Sequence, residues 1–561
     1  MPSIRVTLAS NAKQSQKAPL IIPSSTSYDP ASPVSSRSLV IKAAQSKLRL
    51  KKPSRVFIAG GKELISEEDW KAALKDDVVL LISAAEDYVG SRNDESTNTA
   101  YGKESSAETN GDCPIEILAE KAFIDDLSIK QLETTACTLP GIIHAVAQPD
   151  LHPGTKFPIG AIFVSKGWIH PPLIGGDIGC GMAWYKTALT RSNVEGDKGR
   201  KVAEKLRGLE GAWRTQKDRE VWLRDDVGSR SYSAGEEWDA SLGTIGAGNH
   251  FAEIQIVEES SQQDETVDSQ YQLHEDEVVI LVHSGSRGYG GDILKRYTAN
   301  STTSMKEDEP IATKYLEEHD RACNWASRNR DLIALRFLAC LEPSDETWEL
   351  GASTASSSNH TPEELLLQTQ LHIQSRKVVD IWHNNVSTTP WPPSAPPAEQ
   401  YQAYIHRKGA APTHNPHTSL PLTILPLPGS RATPTLILHP TFSASNAHGL
   451  TNALSLAHGA GRAMSRAKAA SYIEGKYKGR SEDLLRGDFV RGSKNRGGEK
   501  GGGEDVNGGT WVVCEDKQLV WEEAGEAYKD VWAVGEDLVR RGVAERWGWC
   551  RGRVSYKVRR E

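Results

Sequence analysis

Short apolar runs alternate with longer amphipathic stretches along this chain, and together they predict a mixture of strands and helices. Val278 to Val282 form a continuous apolar run before HSGSRG, which predicts a buried strand entering a glycine- and serine-rich turn. Residues 311–340, 363–383 and 463–478 have apolar side chains at helical spacing. Because the chain lacks a regular strand–helix–strand rhythm and a glycine-rich phosphate loop, the pattern favours an α+β fold over a doubly wound sheet.

Polar, proline-rich and glycine-rich stretches divide the chain, and they bury too little apolar surface to offset the entropy lost on ordering. We predict a disordered, serine-rich tail over 1–53, an extension with a polar linker over 54–113, and a single large mixed domain over 114–561. The loop or disordered insertions predicted within that domain lie near 258–269, 344–362, 389–399 and 487–509.

The composition excludes several classes of protein. The longest apolar runs, such as residues 78–82, are far shorter than the ~20 residues that a membrane span needs, which argues against a membrane protein. A net charge of −8 argues against coating nucleic acid by bulk charge, so RNA or DNA binding would need a local cationic patch. Seven scattered cysteines without a CxxC pair predict a reducing compartment. We expect a cytoplasmic or nuclear location, and the basic, serine-rich N-terminus also fits a mitochondrial one.

Five short segments each carry a metal-binding or nucleophilic side chain, in most cases set among glycines and other small residues. They are GGDIGCG (175–181), GAGNHFAE (246–253), HSGSRGYGG (283–291), WHNN (382–385) and AHGAGRAMSR (457–466). Asp177 and Cys180 lie three residues apart and could face one ion from a tight turn, while His250, His283 and His383 would add imidazoles. If the thiolate bridges, this set could hold two divalent ions, and ligand softness alone favours zinc or another late transition metal, since manganese is an unusual partner for a thiolate. The alternative is a buried apolar Cys180, a turn-forming Asp177 and hydrogen-bonded structural histidines.

His458 lies in a small-residue turn before a predicted helix. The backbone N–H groups of Gly459, Ala460 and Gly461 could face an anion there, and a histidine in such a place could attack phosphorus. Arg462 and Arg466 are four residues apart, which predicts one helical face able to grip phosphate. Together with Arg287 and the HRKG segment containing Lys408, they would form a cationic patch. A solvated basic helix face is the alternative.

Seven ordered segments resemble the RtcB family of RNA ligases, nearer its bacterial branch. They are QPDLHPGTKFPIGAIFVSKGWIHPPLIGGDIGCGMAWYKTALT (148–190), LGTIGAGNHFAEI, LVHSGSRG, HRKGA, LPGS, HGAGRAMSR and EAYKDV. The resemblance runs from about residue 114 to the end of the chain, with interruptions at the insertions. It implies the RtcB type of mixed α+β domain.

The resemblance also implies a GTP- and Mn²⁺-dependent reaction. It joins RNA ending in a 2′,3′-cyclic phosphate or 3′-phosphate to RNA with a 5′-hydroxyl, through a guanylylated His458. Asp177, Cys180 and His250 would hold one of two manganese ions, and Cys180, His283 and His383 the other. The implied guanylate contacts are Asn249, Glu253, Asn384, Ser430, Thr435, Gly459, Ala460, Gly461 and Lys557. The implied RNA contacts are Arg287, Lys408, Arg462 and Arg466. Archease or a tRNA-ligase complex are the implied protein partners.

Two segments depart from the family pattern. After PGS the chain continues Arg431-Ala432-Thr433-Pro434-Thr435, and Thr435 takes the place of a serine that is common in the family. Four residues follow Lys557, which is matched with a C-terminal lysine of the family. These departures leave two alternatives to a ligase open: an RNA-end-binding protein that does not ligate, and a metal-dependent phosphodiesterase that only opens cyclic phosphates.

Overall fold

The chain divides into two compact units, residues 1–107 and 108–561, in a computed structural model. The structure describes residues 3–11, 17–23, 35–50, 52–58, 62–74, 78–83, 86, 88, 113–225, 230–261, 269–299, 303–343, 345, 348, 361–484 and 509–557. Within these ranges no helix combines the length and the apolar character needed to cross a bilayer.

The smaller unit is a four-stranded mixed sheet with two helices. Its elements are β1 (Ser3–Ser10), β2 (Lys17–Pro23), α1 (Ser36–Lys47), β3 (Arg55–Ile58), α2 (Glu67–Ala73) and β4 (Val78–Ser83). The strand order is β2-β1-β4-β3, with β1 parallel to β4 and the other pairs antiparallel. Val6, Leu8 and Leu80 of the sheet form its core with Val40 and Ala44 of α1.

The prediction of a disordered tail over residues 1–53 is wrong, because β1, β2 and α1 all lie in that range. Val6 and Leu8 alternate with polar residues along β1 and are fully buried. Val40 and Ala44, one helical turn apart, face them from α1. Each apolar pattern is too short to recognise among the serines, and it becomes a core only when distant segments pair.

The larger unit confirms the α+β class. Its strands are β5 (Ile115–Ile117), β6 (Ile142–His152), β7 (Ile159–Ser165), β8 (Trp168–Ile169), β9 (Gly181–Thr190), β10 (Phe251–Ser260), β11 (Glu277–Ser284), β12 (Met305–Lys306), β13 (Lys377–Trp382), β14 (Asn384–Trp391), β15 (Tyr401–Lys408), β16 (Ala410–Pro412), β17 (Leu425–Pro428), β18 (Thr435–Pro440), β19 (Ser455–Ala457), β20 (Trp511–Val513) and β21 (Ala544–Tyr556). Its helices are α3 (Asp126–Thr138), α4 (Arg191–Val194), α5 (Asp197–Lys205), α6 (Gln216–Trp222), α7 (Glu236–Asp239), α8 (Gly288–Tyr297), α9 (Pro310–Leu341), α10 (Pro362–Arg376), α11 (Arg466–Lys476), α12 (Lys517–Glu522) and α13 (Val531–Arg540).

Two large sheets organise this unit. One has the order β13-β9-β11-β10-β21-β18-β17, with β20 added beside β21, and the other has the order β14-β15-β7-β6-β5. The pairs β12-β8 and β16-β19 are separate two-stranded ladders. Helix α9 packs against β9 and β11, and its long buried face includes Trp325, Leu332 and Phe337.

The predicted elements agree with the structure in part. The strand around 278–282 and the helix over 311–340 are confirmed as β11 and α9. The helix predicted over 363–383 ends at Arg376, and β13 follows at once, because Val379, Ile381 and Trp382 pair with β9 at the edge of the sheet. The helix predicted over 463–478 begins only at Arg466, where Ser465 caps it.

The predicted insertions have different outcomes. The proline-rich stretch 389–399 is an ordered connection, in which the end of β14 and a short 3₁₀ turn lead into β15. Most of 258–269 and 344–362, and nearly all of 487–509, lie outside the described residues, as does the polar linker after residue 88.

Candidate active site

The five candidate metal ligands meet at one edge of the larger sheet. Cys180 immediately precedes β9 and His250 precedes β10, while His283 lies near the end of β11 and His383 follows β13. The strands are neighbours, and their register places His283 opposite both Phe251 and Met182. The backbone N–H of His383 also donates to the carbonyl oxygen of Cys180 at 2.8 Å. Strand pairing therefore gathers side chains that are separated by up to about 200 positions in sequence.

The ligand atoms form two groups that share the Cys180 sulfur. Sγ lies 3.2 Å from Nε2 of His250 and 3.4 Å from Nε2 of His283. Nε2 of His383 lies 3.0 Å from that of His283, and Oδ2 of Asp177 lies 2.8 Å from Nε2 of His250. Within each group, Asp177/Cys180/His250 or Cys180/His283/His383, the ligand atoms lie within 4.8 Å of one another. The bridging arrangement implied by the family resemblance is thus geometrically available.

The protonation of these groups is consistent with ligation. Nδ1 of His250 lies 3.1 Å from the Ile245 carbonyl oxygen, which fixes the proton on Nδ1 and leaves the Nε2 lone pair facing the cluster. Burial and the neighbouring histidines hold the pKa values of His283 and His383 well below the usual range, so both rings stay neutral. Burial and the Asp177 carboxylate raise the pKa of the Cys180 thiol. A divalent cation would reverse that last effect, since it favours the thiolate.

Arg330 of α9 hydrogen-bonds to the backbone next to two of the candidate ligands, Cys180 and His283. Its fully buried Nη1 donates to the carbonyl oxygens of Gly179 at 3.0 Å and Ser284 at 2.9 Å. Its Nε donates to Oδ1 of Asp380 at 2.7 Å, which neutralises the buried charge. This arginine was not predicted as a site residue, because only the tertiary fold brings α9 beneath the cluster.

His458 lies beside the cluster and is held by a carboxylate. The His458 and His383 rings are 4.6 Å apart between centroids, and Nδ1 of His458 lies 2.8 Å from Oδ2 of Asp150. Both partners are buried. Gly461 allows the turn that carries His458 to pack closely against the backbone of Asp150. It has a φ of +70°, and a Cβ there would lie 2.3 Å from the Asp150 carbonyl oxygen. The glycines of HGAG therefore bring the nucleophile candidate and its carboxylate together.

Lys529 fixes the strand segment that carries Asp150. Its Nζ donates to the carbonyl oxygens of Pro149 at 3.1 Å and Leu151 at 2.6 Å, one on each side of the aspartate. Burial lowers the pKa of Lys529 to about 8, while Asp150 opposes that shift. A lysine 380 positions from Pro149 in sequence thus fixes the backbone on both sides of the carboxylate that orients His458.

One pocket contains most of the predicted nucleotide-binding residues together with His458. Its lining includes Asn249, Glu253, Ser430, Thr435, Gly459, Ala460, Gly461, Arg462, Arg466 and Lys557, and also the unpredicted Phe251, Arg431, Tyr528 and Ser555. Burial raises the pKa of Glu253 to about 7, and hydrogen bonds from Gln255 and Ser555 oppose that rise. Thr435 accepts a hydrogen bond from Gln255 at 2.8 Å, so its hydroxyl hydrogen can still be donated to a ligand.

Cations converge on the buried Glu523 at one side of this pocket. Oε1 lies 3.1 Å from Nη1 of Arg462 and 3.6 Å from Nε of Arg466, and Oε2 lies 3.7 Å from Nζ of Lys557. The prediction that the two arginines share a helical face is wrong, because Arg462 precedes α11 and forms an isolated β-bridge with Tyr528. They meet at Glu523 instead.

Some predicted contacts lie outside the pocket lining or have another role. Asn384 donates to the Asp177 carbonyl oxygen at 3.2 Å and accepts from the Gly409 N–H at 2.9 Å, so it joins two site turns. Arg287 contacts Thr244, and Lys408 lies against Gly175. The N–H of Ala460 already donates to the Pro428 carbonyl oxygen at 2.9 Å, so it cannot also bind an anion as predicted.

Asp150, Lys529 and Tyr528 were missed as functional residues. Asp150 lies in the QPDLHPG segment, and the other two lie in EAYKDV. Both segments belong to the family resemblance but contain no metal-ligand spacing. Their position in those two motifs was the one available signal. The fold adds that Asp150 contacts His458, that Lys529 holds the backbone around Asp150, and that Tyr528 lines the pocket.

Known proteins resemble the chain over the same region. The sequence profile of the family described as tRNA-splicing ligase RtcB matches residues 131–212 and 209–486. RNA-splicing ligase RtcB2 of Escherichia coli is 33% identical over 437 residues, which cover 77% of this chain and 92% of that protein. tRNA-splicing ligase RtcB of Aeropyrum pernix is 28% identical over 417 residues, covering 63% and 80%. The protein of that name from Methanococcus maripaludis is 26% identical over 471 residues, covering 74% and 88%. The profile match contains all five candidate metal ligands and His458.

Proposed function

The chain belongs to the RtcB family and is an RNA ligase, and from that premise we propose that it works through a guanylylated His458, with GTP and manganese as cofactors. Its substrates would be an RNA with a 2′,3′-cyclic phosphate or 3′-phosphate and a second RNA with a 5′-hydroxyl. The observation that carries the proposal is the position of His458, beside the metal-ligand cluster and in the pocket that most of the expected guanylate contacts line.

The residues present fit two divalent ions. The donor set has one carboxylate, three imidazoles and a thiol in two groups that share the sulfur. Among the residues that the structure describes, Oδ1 of Asp177 and Nδ1 of His383 are buried and have no hydrogen-bond partner, so these two polar atoms lack a protein partner there. Softness alone favours zinc for such a set, and the family resemblance favours manganese. When bound, the ions would offset negative charge on the phosphates and the departing pyrophosphate.

The first step transfers GMP to the protein. Asp150 accepts a hydrogen bond from the Nδ1–H of His458, so the lone pair on Nε2 is available as the nucleophile. Nε2 forms a bond to the α-phosphorus of GTP while the bond from that phosphorus to the bridging oxygen breaks, and pyrophosphate leaves. Arg462 and Arg466 at the pocket supply fixed positive charge for the phosphate groups.

The later steps transfer the guanylate to RNA and release it. The RNA 3′-phosphate oxygen attacks the phosphorus on His458, and the P–N bond breaks. The 5′-hydroxyl then attacks the activated 3′-phosphorus, and GMP leaves as the phosphodiester forms. An RNA ending in a cyclic phosphate is first hydrolysed to the 3′-phosphate. Asp150 keeps the released imidazole in the same orientation for the next cycle.

A ligation assay tests this proposal against both alternatives. One RNA carries a 2′,3′-cyclic phosphate, the other carries a 5′-hydroxyl, and the full chain is supplied with Mn²⁺ with or without GTP. We expect joined RNA only with GTP and none from His458→Ala. Conversion of cyclic phosphate to 3′-phosphate without joining would indicate the phosphodiesterase. RNA retention without any conversion would indicate the binding protein. Repeating the assay with an archease tests whether a protein partner is needed.

A further inference from the structure

His152 places a second imidazole in the pocket that contains His458. It is the last residue of β6 and lies two positions after Asp150, a spacing that puts both side chains on one face of a strand. Asp150 contacts His458 through its carboxylate, and His152 lines the pocket. None of the reaction steps described so far uses this second histidine.

Packing around the neighbouring strand brings His152 to the same part of the pocket as His458. His152 pairs with Ile159 of β7, which also lines the pocket. A Cβ added to Gly409 would lie 2.7 Å from Cγ2 of Ile159 and 2.9 Å from Cε1 of His458. Because that glycine has no side chain, the His458 ring and the strand partner of His152 pack against the same point of the backbone.

The His152 ring presents an unprotonated nitrogen to the pocket. Its Nδ1 lies 2.9 Å from the Asp150 carbonyl oxygen, which can only accept, so Nδ1 carries the proton and Nε2 keeps its lone pair. Within the described ranges Nε2 has no hydrogen-bond partner, and it is not shut off from solvent in this partly exposed side chain. The loss of solvation lowers the pKa of His152 to about 4, so the ring is neutral near pH 7.

The joining step needs a group of this kind. The 5′-hydroxyl loses its proton when it attacks the activated 3′-phosphorus, and a basic group has to accept that proton. The attack takes place near His458, because the 3′-phosphorus is then one bridging oxygen from the phosphorus that left its Nε2. Other basic groups there are engaged, since Asp150 holds His458 and Glu253 accepts from Gln255 at 3.0 Å.

We propose that Nε2 of His152 accepts the proton of the RNA 5′-hydroxyl as the phosphodiester forms, an inference that rests on the proposed function. The 5′-oxygen forms a bond to the 3′-phosphorus, the bond from that phosphorus to the oxygen of GMP breaks, and GMP leaves. His152 then carries the proton as an imidazolium and releases it to solvent. RNA phosphates beside the ring favour the imidazolium and so strengthen the base when substrate is bound. Guanylylation of His458 moves no hydroxyl proton and therefore does not need His152.

The test separates the joining step from guanylylation. An RNA whose 3′-phosphate already carries GMP is supplied to the full chain with a 5′-hydroxyl RNA and Mn²⁺, so the reaction starts after His458 has acted. His152→Asn keeps a donor for the Asp150 carbonyl oxygen but lacks the basic Nε2. We expect joining to slow by about 10²- to 10⁴-fold, while guanylylation with labelled GTP stays at the wild-type rate. His274→Asn, which changes an exposed histidine, should alter neither rate.

Added imidazole supplies a readout that a merely structural role would not move. In His152→Ala, free imidazole should restore part of the joining rate, in proportion to the concentration of its unprotonated form. This variant also replaces His152→Asn if the latter does not fold.

Three results would overturn the role of His152. They are joining by His152→Asn at the wild-type rate, an equal loss of joining and guanylylation, which would indicate that His152 only supports Asp150, and no gain from imidazole in His152→Ala. A wild type that neither takes up guanylate nor joins the activated RNA contradicts the proposed function as well. Normal wild-type rates with an unaffected variant contradict only this inference.

Discussion

Nδ1 of His458 lies 2.8 Å from Oδ2 of Asp150, a residue 308 positions earlier in the chain. The carboxylate fixes which ring nitrogen carries the proton and which way the ring faces. This pairing gives the proposed nucleophile its direction, and it joins the five-stranded sheet, which carries Asp150, to the turn that carries His458.

Asp150→Asn should slow formation of guanylylated protein by about 10²- to 10⁴-fold, because the amide can donate to Nδ1 and stabilise the wrong tautomer. Single-turnover measurement with labelled GTP gives the rate. Asp126→Asn, an exposed change at the start of α3, should leave it unchanged. Guanylylation of Asp150→Asn at the wild-type rate would refute the orienting role.

Lys529→Met should lower kcat for guanylylation by roughly tenfold to a hundredfold, with KM for GTP within twofold of wild type. The lysine touches neither GTP nor His458 but fixes the backbone around Asp150, and small misplacements of a catalytic group cost rate rather than binding. Lys476→Met, which breaks an exposed pair with Glu526, is the matched control. A change confined to KM would contradict a positioning role.

Binding of guanosine 5′-(α,β-methylene)triphosphate, a GTP analogue that cannot lose pyrophosphate, should weaken as pH falls below about 7. Burial raises the pKa of Glu253 to about 7, whereas Gln255, Ser555, Lys557 and Arg431 favour the carboxylate. Only the carboxylate accepts the guanine N–H groups, so protonation competes with binding, and the affinity can drop up to tenfold per pH unit. Calorimetry from pH 5.5 to pH 8, values that span about one pKa unit or more on each side, measures this slope.

Two variants on the same strand separate this effect from general acid sensitivity. Glu253→Gln should bind weakly at every pH and show no slope, because the amide does not titrate in this range. Glu259→Gln, which changes an exposed residue of β10, should keep the wild-type slope. A slope that persists in Glu253→Gln would assign the pH dependence to another group.

Cys180→Ala should lose both manganese ions, because the sulfur belongs to both ligand groups. The metal content of the purified chain, measured by mass spectrometry of the elements, should fall from two ions towards none. Cys137→Ala, which removes an exposed thiol, should retain two. Retention of two ions by Cys180→Ala would mean that the thiolate does not bridge.

The candidate ligands and the proposed nucleophile could be picked out from sequence because their chemistry is carried by local motifs. Asp177 and Cys180 occupy one turn, and His458 has its glycines beside it. Their partners could not be predicted, since Asp150, Arg330 and Lys529 reach the site through contacts between distant segments. The motifs therefore point to the atoms proposed to react, and the fold determines how those atoms are held.

The prediction of secondary structure failed where the local apolar pattern and the tertiary pairing disagree. Lys377–Trp382 continues a helical apolar pattern but pairs with β9 as a strand, because its β-branched side chains fit the sheet. Arg462 has helical spacing to Arg466, yet Ser465 begins the helix after it. In the first case strand pairing overrides the helical spacing, and in the second the helix cap at Ser465 sets where the helix begins.

The measurement that tests the central claim most directly is the intact mass of the full chain after incubation with GTP and Mn²⁺, followed by peptide mapping. We predict a gain of one GMP, located on His458, lost when RNA with a 3′-phosphate is added and absent from His458→Ala. A folded, manganese-loaded protein that gains no guanylate, or carries it on another residue, would contradict the account.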